Sequence, residues 1–261
     1  MKIHIVIAVH NRLAETKKCV ASINSQTYKN IQLYIVDDGS TDGTKAWVES
    51  IDATLISGSG NLWWTGAVAA AFNLIVPNVD GDDFFMVLSN DAVLDENALD
   101  LLVKASVDRG YAVCGSLSVD KKTNICMSSG ALVKSWILNI NYHPFRYEKL
   151  IQISKKVELV TMLTGRSLIF PIKILKKSGN FDSKSLPHYG GDVEMTIRLG
   201  NLGYSLYIVP TSIIYVNREE TGLNPGDRKM TVFDRALSLF SIKSANSIYY
   251  RTILALKIAP I

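Results

Sequence analysis

The stretch IQLYIVDDGSTDGT, residues 31–44, consists of an apolar run followed directly by a turn rich in aspartate and glycine. The run predicts a strand, and the turn can cap a helix expected over about 42–50. Upstream, a run rich in β-branched residues at 3–9 is typical of a strand buried on both faces, and an amphipathic helix is expected after it at 13–26. Further strands and helices are expected at 53–56, 65–76, 84–88, 95–107, 112–118, 172–178 and 191–202. This alternation predicts an α/β fold in which helices flank a mainly parallel sheet.

A polar loop follows each of four predicted strands. In chain order these loops contain Asn11 and Arg12, Asp37 and Asp38, Gly58 to Asn61, and Asn90 and Asp91. Because ligands of such sheets bind at the carboxyl ends of the strands, we expect the loops to converge on one edge. A strand-end carboxylate beside a glycine-rich loop suits a divalent ion bound to a diphosphate. The competing interpretation is that each aspartate caps the next helix, as Asp91 would before residues 92–94.

Two further segments carry candidate functional residues. In GSGNLWWTGA, residues 58–67, Asn61 can hydrogen-bond a base or ribose, and the two tryptophans need either a ligand or the core as a partner. In LPHYGGDVEMTIRL, residues 186–199, a glycine turn leads to Asp192 at the start of a predicted helix. That position gives Asp192 the access that a general base needs, and an N-cap is the alternative. Glu194, two positions on, faces another side of the helix. His143 and His188 are interpreted as core or surface histidines, although His188 is close enough to Asp192 to remain a candidate.

Composition and charge exclude several classes of protein and of partner. The chain has 261 residues, of which 48% are hydrophobic and 20% charged, so it is neither a disordered nor a collagen-like protein. A net charge of +4 is too weak to indicate a nucleic-acid partner. Cys19, Cys114 and Cys126 are too few and too widely spaced for a disulfide framework or a zinc site, which favours a reducing compartment. The apolar runs are too short for a signal peptide or a transmembrane helix.

Residues 9–44, VHNRLAETKKCVASINSQTYKNIQLYIVDDGSTDGT, resemble the opening of inverting family 2 glycosyltransferases of the GT-A fold. Later segments are similar to that family at 58–73 (GSGNLWWTGAVAAAFN), 88–99 (LSNDAVLDENAL), 164–182 (TGRSLIFPIKILKKSGNFD) and 188–204 (HYGGDVEMTIRLGNLGY). The resemblance covers about residues 1–217. Within the family it is strongest to rhamnosyltransferase-like members that build surface polysaccharides.

The resemblance implies a role for each matching residue. The nucleotide-sugar site would comprise Ala8, Asn11, Arg12, Asp38, Gly60, Asn61, Trp64, Asn90 and Asp91. Asp91 would also hold Mg²⁺ or Mn²⁺, and Asp192 would be the general base that deprotonates the acceptor hydroxyl. The acceptor side would comprise Thr164, Gly165, His188 and Gly191.

Three positions depart from the family pattern. Ser89 replaces one carboxylate of the D-x-D segment, Gly191 stands where an acid usually precedes the base, and Tyr215 and Asn217 stand where many members place a metal-binding histidine. We therefore expect weak metal binding, with the ion held mostly by the diphosphate. An arginine is expected to supply part of the missing positive charge, the candidates being Arg12, Arg218 and Arg228.

Residues 1–230 are expected to form one GT-A domain, with a nucleotide-sugar half at 1–118 and an acceptor half at 119–230, followed by a helical tail at 231–261. From residue 216 onward the chain has seven Lys and Arg residues and four acidic ones, so most of its net positive charge lies there. Residues 231–258 predict either an interfacial helix on an anionic membrane or a helix packed on the domain or on a second subunit. The protein is expected to be cytoplasmic, and the first interpretation places it on the inner face of the cell membrane.

Three functions compete. The favoured one is transfer of a hexose or deoxyhexose from a UDP- or dTDP-sugar to a glycan or lipid-linked acceptor, without any nucleic-acid partner. The second is a degenerate GT-A domain that binds sugar nucleotide or glycan without transferring it. A nucleotidyltransferase is disfavoured because no Lys/Arg-rich glycine loop follows the first strand.

Overall fold

A computed structural model describes residues 1–135, 140–217 and 247–258, in which helices cover both faces of a ten-stranded mixed sheet. The strands are β1 (Ile3–Val9), β2 (Ile31–Asp37), β3 (Thr54–Ser57), β4 (Phe84–Leu88), β5 (Val93–Leu94), β6 (Val113–Asp120), β7 (Cys126–Ser128), β8 (Leu132–Ser135), β9 (Ile140–Tyr142), β10 (Glu158–Val160), β11 (Ser167–Pro171) and β12 (Leu206–Val216). The helices are α1 (Leu13–Asn24), α2 (Thr44–Val48), α3 (Trp63–Ile75), α4 (Ala98–Val107), α5 (Ile172–Ser178), α6 (Gly191–Asn201) and α7 (Ile248–Ile258).

The order of the sheet decides where the loops meet. Its strands lie in the order β10-β12-β6-β11-β4-β1-β2-β3, with β5 paired to β12 and β7 to β6, while β8 and β9 form a separate hairpin. Strands β1, β2, β3 and β4 are parallel, and β11 runs antiparallel between β4 and β6. Because β11 is reversed, its first residue, Ser167, pairs with Leu88, the last residue of β4. The segment before β11 therefore lies at the edge where the parallel strands end.

Apolar side chains lie on both faces of the sheet, so helices pack on each face and the fold has three layers. One core cluster joins β1 and β4 to α1, α2 and α4 through residues such as Cys19 and Leu102. The other joins the opposite face to α3, α5 and α6 through residues such as Val68 and Met195. Cys19, Cys114 and Cys126 are buried free thiols. Burial on this scale, at about 25 cal/mol per Å² of apolar surface, is the main source of stability.

The structure confirms the α/β fold with a mixed, mainly parallel sheet. The first nine predicted elements occur within a few residues of their expected bounds, and the strands at 3–9 and 84–88 have the expected bounds. Strands β11 and β12 were not expected, although they flank the helices expected at 172–178 and 191–202, which occur as α5 and α6. Residues 218–230 of the predicted acceptor half and the first part of the predicted tail helix, at 231–246, lie outside the described residues. No helix within the described ranges is long and apolar enough to span a bilayer.

Candidate functional site

The carboxyl ends of β1, β2 and β4 converge on a cavity of about 350 Å³, which we call the strand-end pocket. Its lining is Ala8, Val9, His10, Arg12, Asp38, Gly60, Trp63, Trp64, Ala67, Asn90 and His188. Four predicted strand-end loops thus contribute to one pocket, as the parallel order requires. Two of the predicted nucleotide-site residues, Asn11 and Asn61, are exposed and do not belong to this lining. The Asn11 side-chain oxygen instead accepts a hydrogen bond from the Thr41 amide at 2.7 Å, which holds the loop after β2.

Asp38 holds the glycine-rich loop against the end of β2. Its Oδ1 accepts a hydrogen bond from the Gly60 amide at 2.7 Å, and its Oδ2 accepts one from the Trp63 amide at 2.9 Å. The carboxylate is buried, and a Cβ at Gly58 would lie 2.6 Å from Asp38 Oδ1. Only glycine therefore fits at position 58. Asp38 fixes one wall of the strand-end pocket through the backbone of this loop.

The two tryptophans border the pocket instead of filling the core. Both are partly buried, and Trp63 has a φ of +57°, a left-handed conformation that is unusual for an aromatic residue. The Trp63 and His188 rings lie 5.2 Å apart between their centroids. Trp64 lies against Gly165, where a Cβ would come within 2.4 Å of the indole ring. Trp64 also packs against the buried cluster on this face of the sheet, so the interpretation of both tryptophans as core residues is correct only in part.

A second cavity, about 210 Å³, adjoins the first; we call it the Asp192 pocket. Its lining is Trp64, Ser89, Thr164, Gly165, Arg166, His188, Tyr189, Gly190 and Asp192. Trp64 and His188 line both pockets, so the two cavities share a boundary. The structure thus brings three predicted acceptor-side residues, Thr164, Gly165 and His188, next to the predicted base.

Asp192 is the second residue of α6, and Gly190, with a φ of +85°, is the N-cap. The Gly165 amide donates to Asp192 Oδ2 at 2.6 Å, and the Val193 amide donates to Oδ1 at 2.9 Å. The N-cap interpretation of Asp192 is therefore wrong. Glu194 faces away from the pocket and pairs with Arg198 at 2.8 Å. Of the two acids in this turn, only Asp192 lines a cavity.

The environment of Asp192 favours proton uptake. Burial raises the pKa of its carboxyl above the ordinary value, because desolvation disfavours the charged form. The amides of Gly165 and Val193 and the charge of Arg166 offset part of this rise in pKa. A carboxylate with a raised pKa that opens into a pocket is the type of group that acts as a general base.

The missing acid at position 191 has a steric explanation. A Cβ built on Gly191 would lie 2.5 Å from both Oγ1 and Cγ2 of Thr65, a residue of α3. The Thr65 amide also donates to the Pro187 carbonyl at 3.0 Å, which fixes α3 against the turn before α6. Gly191 itself lies outside the lining of the Asp192 pocket. The Thr65 side chain therefore fills the space that a carboxylate at position 191 would need.

Asp91 lies in the turn after β4 but outside both pockets. It lines a neighbouring cavity of about 240 Å³ with Lys18, Lys121 and Tyr215. Its Oδ1 accepts a hydrogen bond from the Ser89 hydroxyl at 2.5 Å. Strand β5 follows Asp91 and helix α4 begins only at Ala98, so the interpretation of Asp91 as a helix cap is wrong.

At this edge of the sheet, the carboxylate of Asp91 is the group that could bind a divalent ion. Within the described ranges, no group of three His, Cys, Asp or Glu side chains could hold one. One carboxylate, Asp91, is available, which fits an ion that takes most of its ligands from substrate phosphates.

Arg166 is the residue that the sequence analysis missed. Its charge interrupts an apolar stretch of the sequence, and a lone arginine directly after Thr164 and Gly165 could have signalled a site. Arg166 lines the Asp192 pocket and interacts electrostatically with Asp91, Asp192 and Tyr189. Among the three arginines that were considered, Arg12 lines the strand-end pocket, and Arg218 and Arg228 lie outside the described residues.

The described end of the chain packs on the loop that leads to Asp192. Tyr250 of α7 is buried and its ring lies 6.2 Å from that of Tyr189. A Cβ on Gly190 would lie 3.1 Å from Leu254 Cδ1, so the Leu254 side chain packs closely on this glycine. Lys257 forms an ion pair with Asp182. For residues 247–258, these contacts agree with the interpretation of a helix packed on the domain.

Comparison with known proteins identifies the family. Residues 4–171 match the model of the family described as Glycosyl transferase family 2. The glycosyltransferase GlyA of Streptococcus pneumoniae is 32% identical over 221 residues, which are 83% of this chain and 30% of GlyA. The GalNAc(5)-diNAcBac-PP-undecaprenol beta-1,3-glucosyltransferase of Campylobacter jejuni is 24% identical over 201 residues, which are 76% of this chain and 59% of that enzyme.

A solved structure with the same fold is that of GalNAc-T7 with UDP, GalNAc and Mn²⁺, which superposes with a TM-score of 0.67 at 14% identity. The match covers 83% of this chain and 44% of GalNAc-T7, and it confirms the expected GT-A fold. The chain spans only 30% to 59% of the length of the two curated relatives. The family model covers well over half of the sequence, and the chain belongs to glycosyl transferase family 2.

Proposed function

We propose that this chain is an inverting transferase that moves a hexose or deoxyhexose from a UDP- or dTDP-sugar to a hydroxyl of a glycan or lipid-linked acceptor. The observation that carries the proposal is the Asp192 carboxylate, which two backbone amides hold in the lining of a pocket that shares a boundary with the strand-end pocket. The nucleotide sugar would occupy the strand-end pocket, and the acceptor would enter the Asp192 pocket.

In the proposed reaction, Asp192 takes the proton of the acceptor hydroxyl. The acceptor oxygen then forms a bond to the anomeric carbon while the bond from that carbon to the diphosphate oxygen breaks. The attack comes from the face opposite the diphosphate, so the configuration of the sugar carbon is inverted. A Mg²⁺ or Mn²⁺ ion bound through Asp91 and the phosphates would supply charge neutralisation for the leaving diphosphate. GalNAc-T7, which shares the fold, was crystallised with Mn²⁺.

We expect a UDP- or dTDP-sugar to raise the melting temperature of the protein, because a ligand that binds only the folded state stabilises it by mass action. At 100 times the dissociation constant the gain is about 2.7 kcal/mol, or roughly 5–10 °C for a chain of this size. The measurement is a thermal-shift panel of nucleotide sugars with and without Mn²⁺, with sugar 1-phosphates as the control that lacks the nucleotide.

The same panel separates transfer from mere binding. The domain that binds without transferring is the alternative suggested by Ser89 and Gly191. A stabilising donor that slowly releases free nucleotide in the presence of Mn²⁺ supports a working transferase. A donor that binds but is never hydrolysed or transferred supports the alternative. If no nucleotide sugar shifts the melting temperature, the proposed function is wrong.

The proposed setting is surface-polysaccharide synthesis on the inner face of the cell membrane. It is supported by the basic surplus after residue 216 and by the Campylobacter relative, whose name includes an undecaprenol-linked substrate. We expect the intact chain to co-sediment with anionic liposomes at low salt and much less with neutral ones, since each basic residue near such a surface contributes about 1 kcal/mol. A variant with Lys229, Arg235 and Lys243 changed to glutamine should lose this binding. Equal sedimentation with both liposome types, or with neither, contradicts the proposed setting.

A further inference from the structure

Arg166 lines the Asp192 pocket, and its charge interacts electrostatically with both acidic residues of the proposed site, Asp91 and Asp192. The Ser89 amide donates to the Arg166 carbonyl at 3.0 Å, which ties this residue to the turn that contains Asp91. The preceding amide, that of Gly165, donates to Asp192 Oδ2 at 2.6 Å. The backbone therefore links Arg166 to the Asp91 turn on one side and to the proposed base on the other.

Within the part of the chain that the structure describes, the Arg166 guanidinium has electrostatic neighbours but no hydrogen-bonded partner. Among the residues that the structure describes, none accepts a hydrogen bond from the Arg166 guanidinium or forms an ion pair with it within 4.0 Å. Burial lowers the pKa of Arg166, and the charges of Asp91, Asp192 and Tyr189 offset the effect only in part. Because a desolvated charge without a hydrogen-bonding partner is costly, the arrangement fits a group that pairs with an anion of the substrate.

The position of Arg166 indicates which anion it meets. The reacting sugar carbon has to lie near Asp192, and the diphosphate has to reach from the strand-end pocket toward the Asp91 turn. Arg166 lines the Asp192 pocket and interacts electrostatically with both carboxylates, so its charge is near the place expected for the bond between sugar and diphosphate. Negative charge develops on the phosphate as this bond breaks, and a fixed cation stabilises that charge strongly in a partly desolvated pocket. The single carboxylate at the Asp91 turn also leaves part of the neutralisation to other groups.

We propose that Arg166 binds the phosphate group next to the transferred sugar and neutralises its charge as the sugar leaves. This inference rests on the proposed function. It makes Arg166 a catalytic residue and predicts donor hydrolysis that does not depend wholly on a divalent ion. A guanidinium suits this task because its planar fork can bind two phosphate oxygens at once.

The test compares Arg166→Gln and Arg166→Lys with Arg109→Gln. Arg109 is an exposed arginine beyond the end of α4, at the edge of the sheet opposite the pockets, where its charge lies over the Tyr207 ring. The two readouts are donor hydrolysis without any acceptor and the donor dissociation constant from thermal shifts, both in EDTA and across a Mn²⁺ series.

In EDTA we expect Arg166→Gln to slow donor hydrolysis at least about tenfold and to weaken donor binding severalfold. Saturating Mn²⁺ should reduce the loss, since both cations act on the same phosphate. Arg166→Lys, which keeps the charge without the fork, should fall between Arg166→Gln and the unchanged protein. Arg109→Gln should behave like the unchanged protein.

Two results would overturn the inference while leaving the proposed function intact. One is normal donor binding and hydrolysis in Arg166→Gln together with a raised KM for the acceptor, which would assign the guanidinium to an anionic acceptor group. The other is a lower melting temperature with unchanged donor binding and hydrolysis, which would assign it a structural role. If the unchanged protein neither binds nor hydrolyses any nucleotide sugar, the proposed function and this inference are both wrong.

Discussion

Replacing Asp192 by asparagine is expected to lower the transfer rate at least about 10³-fold while leaving donor binding nearly unchanged. The amide has the same shape as the carboxyl but cannot take the proton of the acceptor hydroxyl. Its oxygen can still accept a hydrogen bond from Gly165 or Val193, so the start of α6 should keep its conformation. Single-turnover transfer measures the first effect, and the thermal shift caused by the donor measures the second.

Asp182→Asn is the matched control, because this acid lies outside both pockets and pairs with Lys257 of α7. It should transfer sugar at the normal rate. The pH profile gives an independent check: Asp192 must be ionised to act, so kcat/KM should fall as the pH drops through its raised pKa. The acid limb of the profile should therefore lie at a higher pH than the ordinary pKa of aspartate would give. Normal turnover in Asp192→Asn, or an acid limb of the pH profile at the ordinary pKa of aspartate, would show that another group is the base.

The strand-end pocket is the part of the site that the sequence predicts best. Local apolar runs and polar turns determine the parallel strands, and parallel order alone brings Ala8, Asp38 and Asn90 to one edge. The family resemblance adds Asp192, which a local pattern alone could not distinguish from a helix cap. The roles of Asn11 and Asn61 depend on the side-chain conformations of exposed loops, which neither periodicity nor motif spacing reports.

The Asp192 pocket was harder to predict because its geometry depends on long-range contacts. Arg166 reaches this edge only because β11 inserts antiparallel between β4 and β6, and an apolar run carries no information about strand direction. Similarly, the glycine at position 191 is explained by Thr65, a residue more than a hundred positions earlier in the chain. Both features arise from the packing of distant segments, so no local window of sequence contains them.

Replacing Gly165 by alanine is expected to lower the transfer rate about 10²-fold, because the new methyl group would displace groups on both sides of the reacting atoms. Its Cβ would lie 2.4–2.5 Å from the Trp64 ring and 3.2 Å from Asp192 Cβ. The backbone of this segment is held by the hydrogen bonds of Gly165 to Asp192 and of Ser89 to Arg166, so it has little freedom to retreat. Either the indole leaves the boundary between the two pockets or the hydrogen bond to the proposed base lengthens.

The two displacements give different kinetic results. A displaced indole should raise both the donor dissociation constant and the acceptor KM, because Trp64 lines both pockets. A lengthened bond to Asp192 should lower kcat and move the acid limb to higher pH, because the carboxylate loses an amide donor that stabilises its charged form. Gly81→Ala is the control, since its Cβ would meet only Lys173 Cβ at 3.7 Å, an ordinary contact. If Gly165→Ala transfers sugar as fast as Gly81→Ala, with the same donor affinity, the contact of Trp64 with Gly165 is not needed for the arrangement of the site.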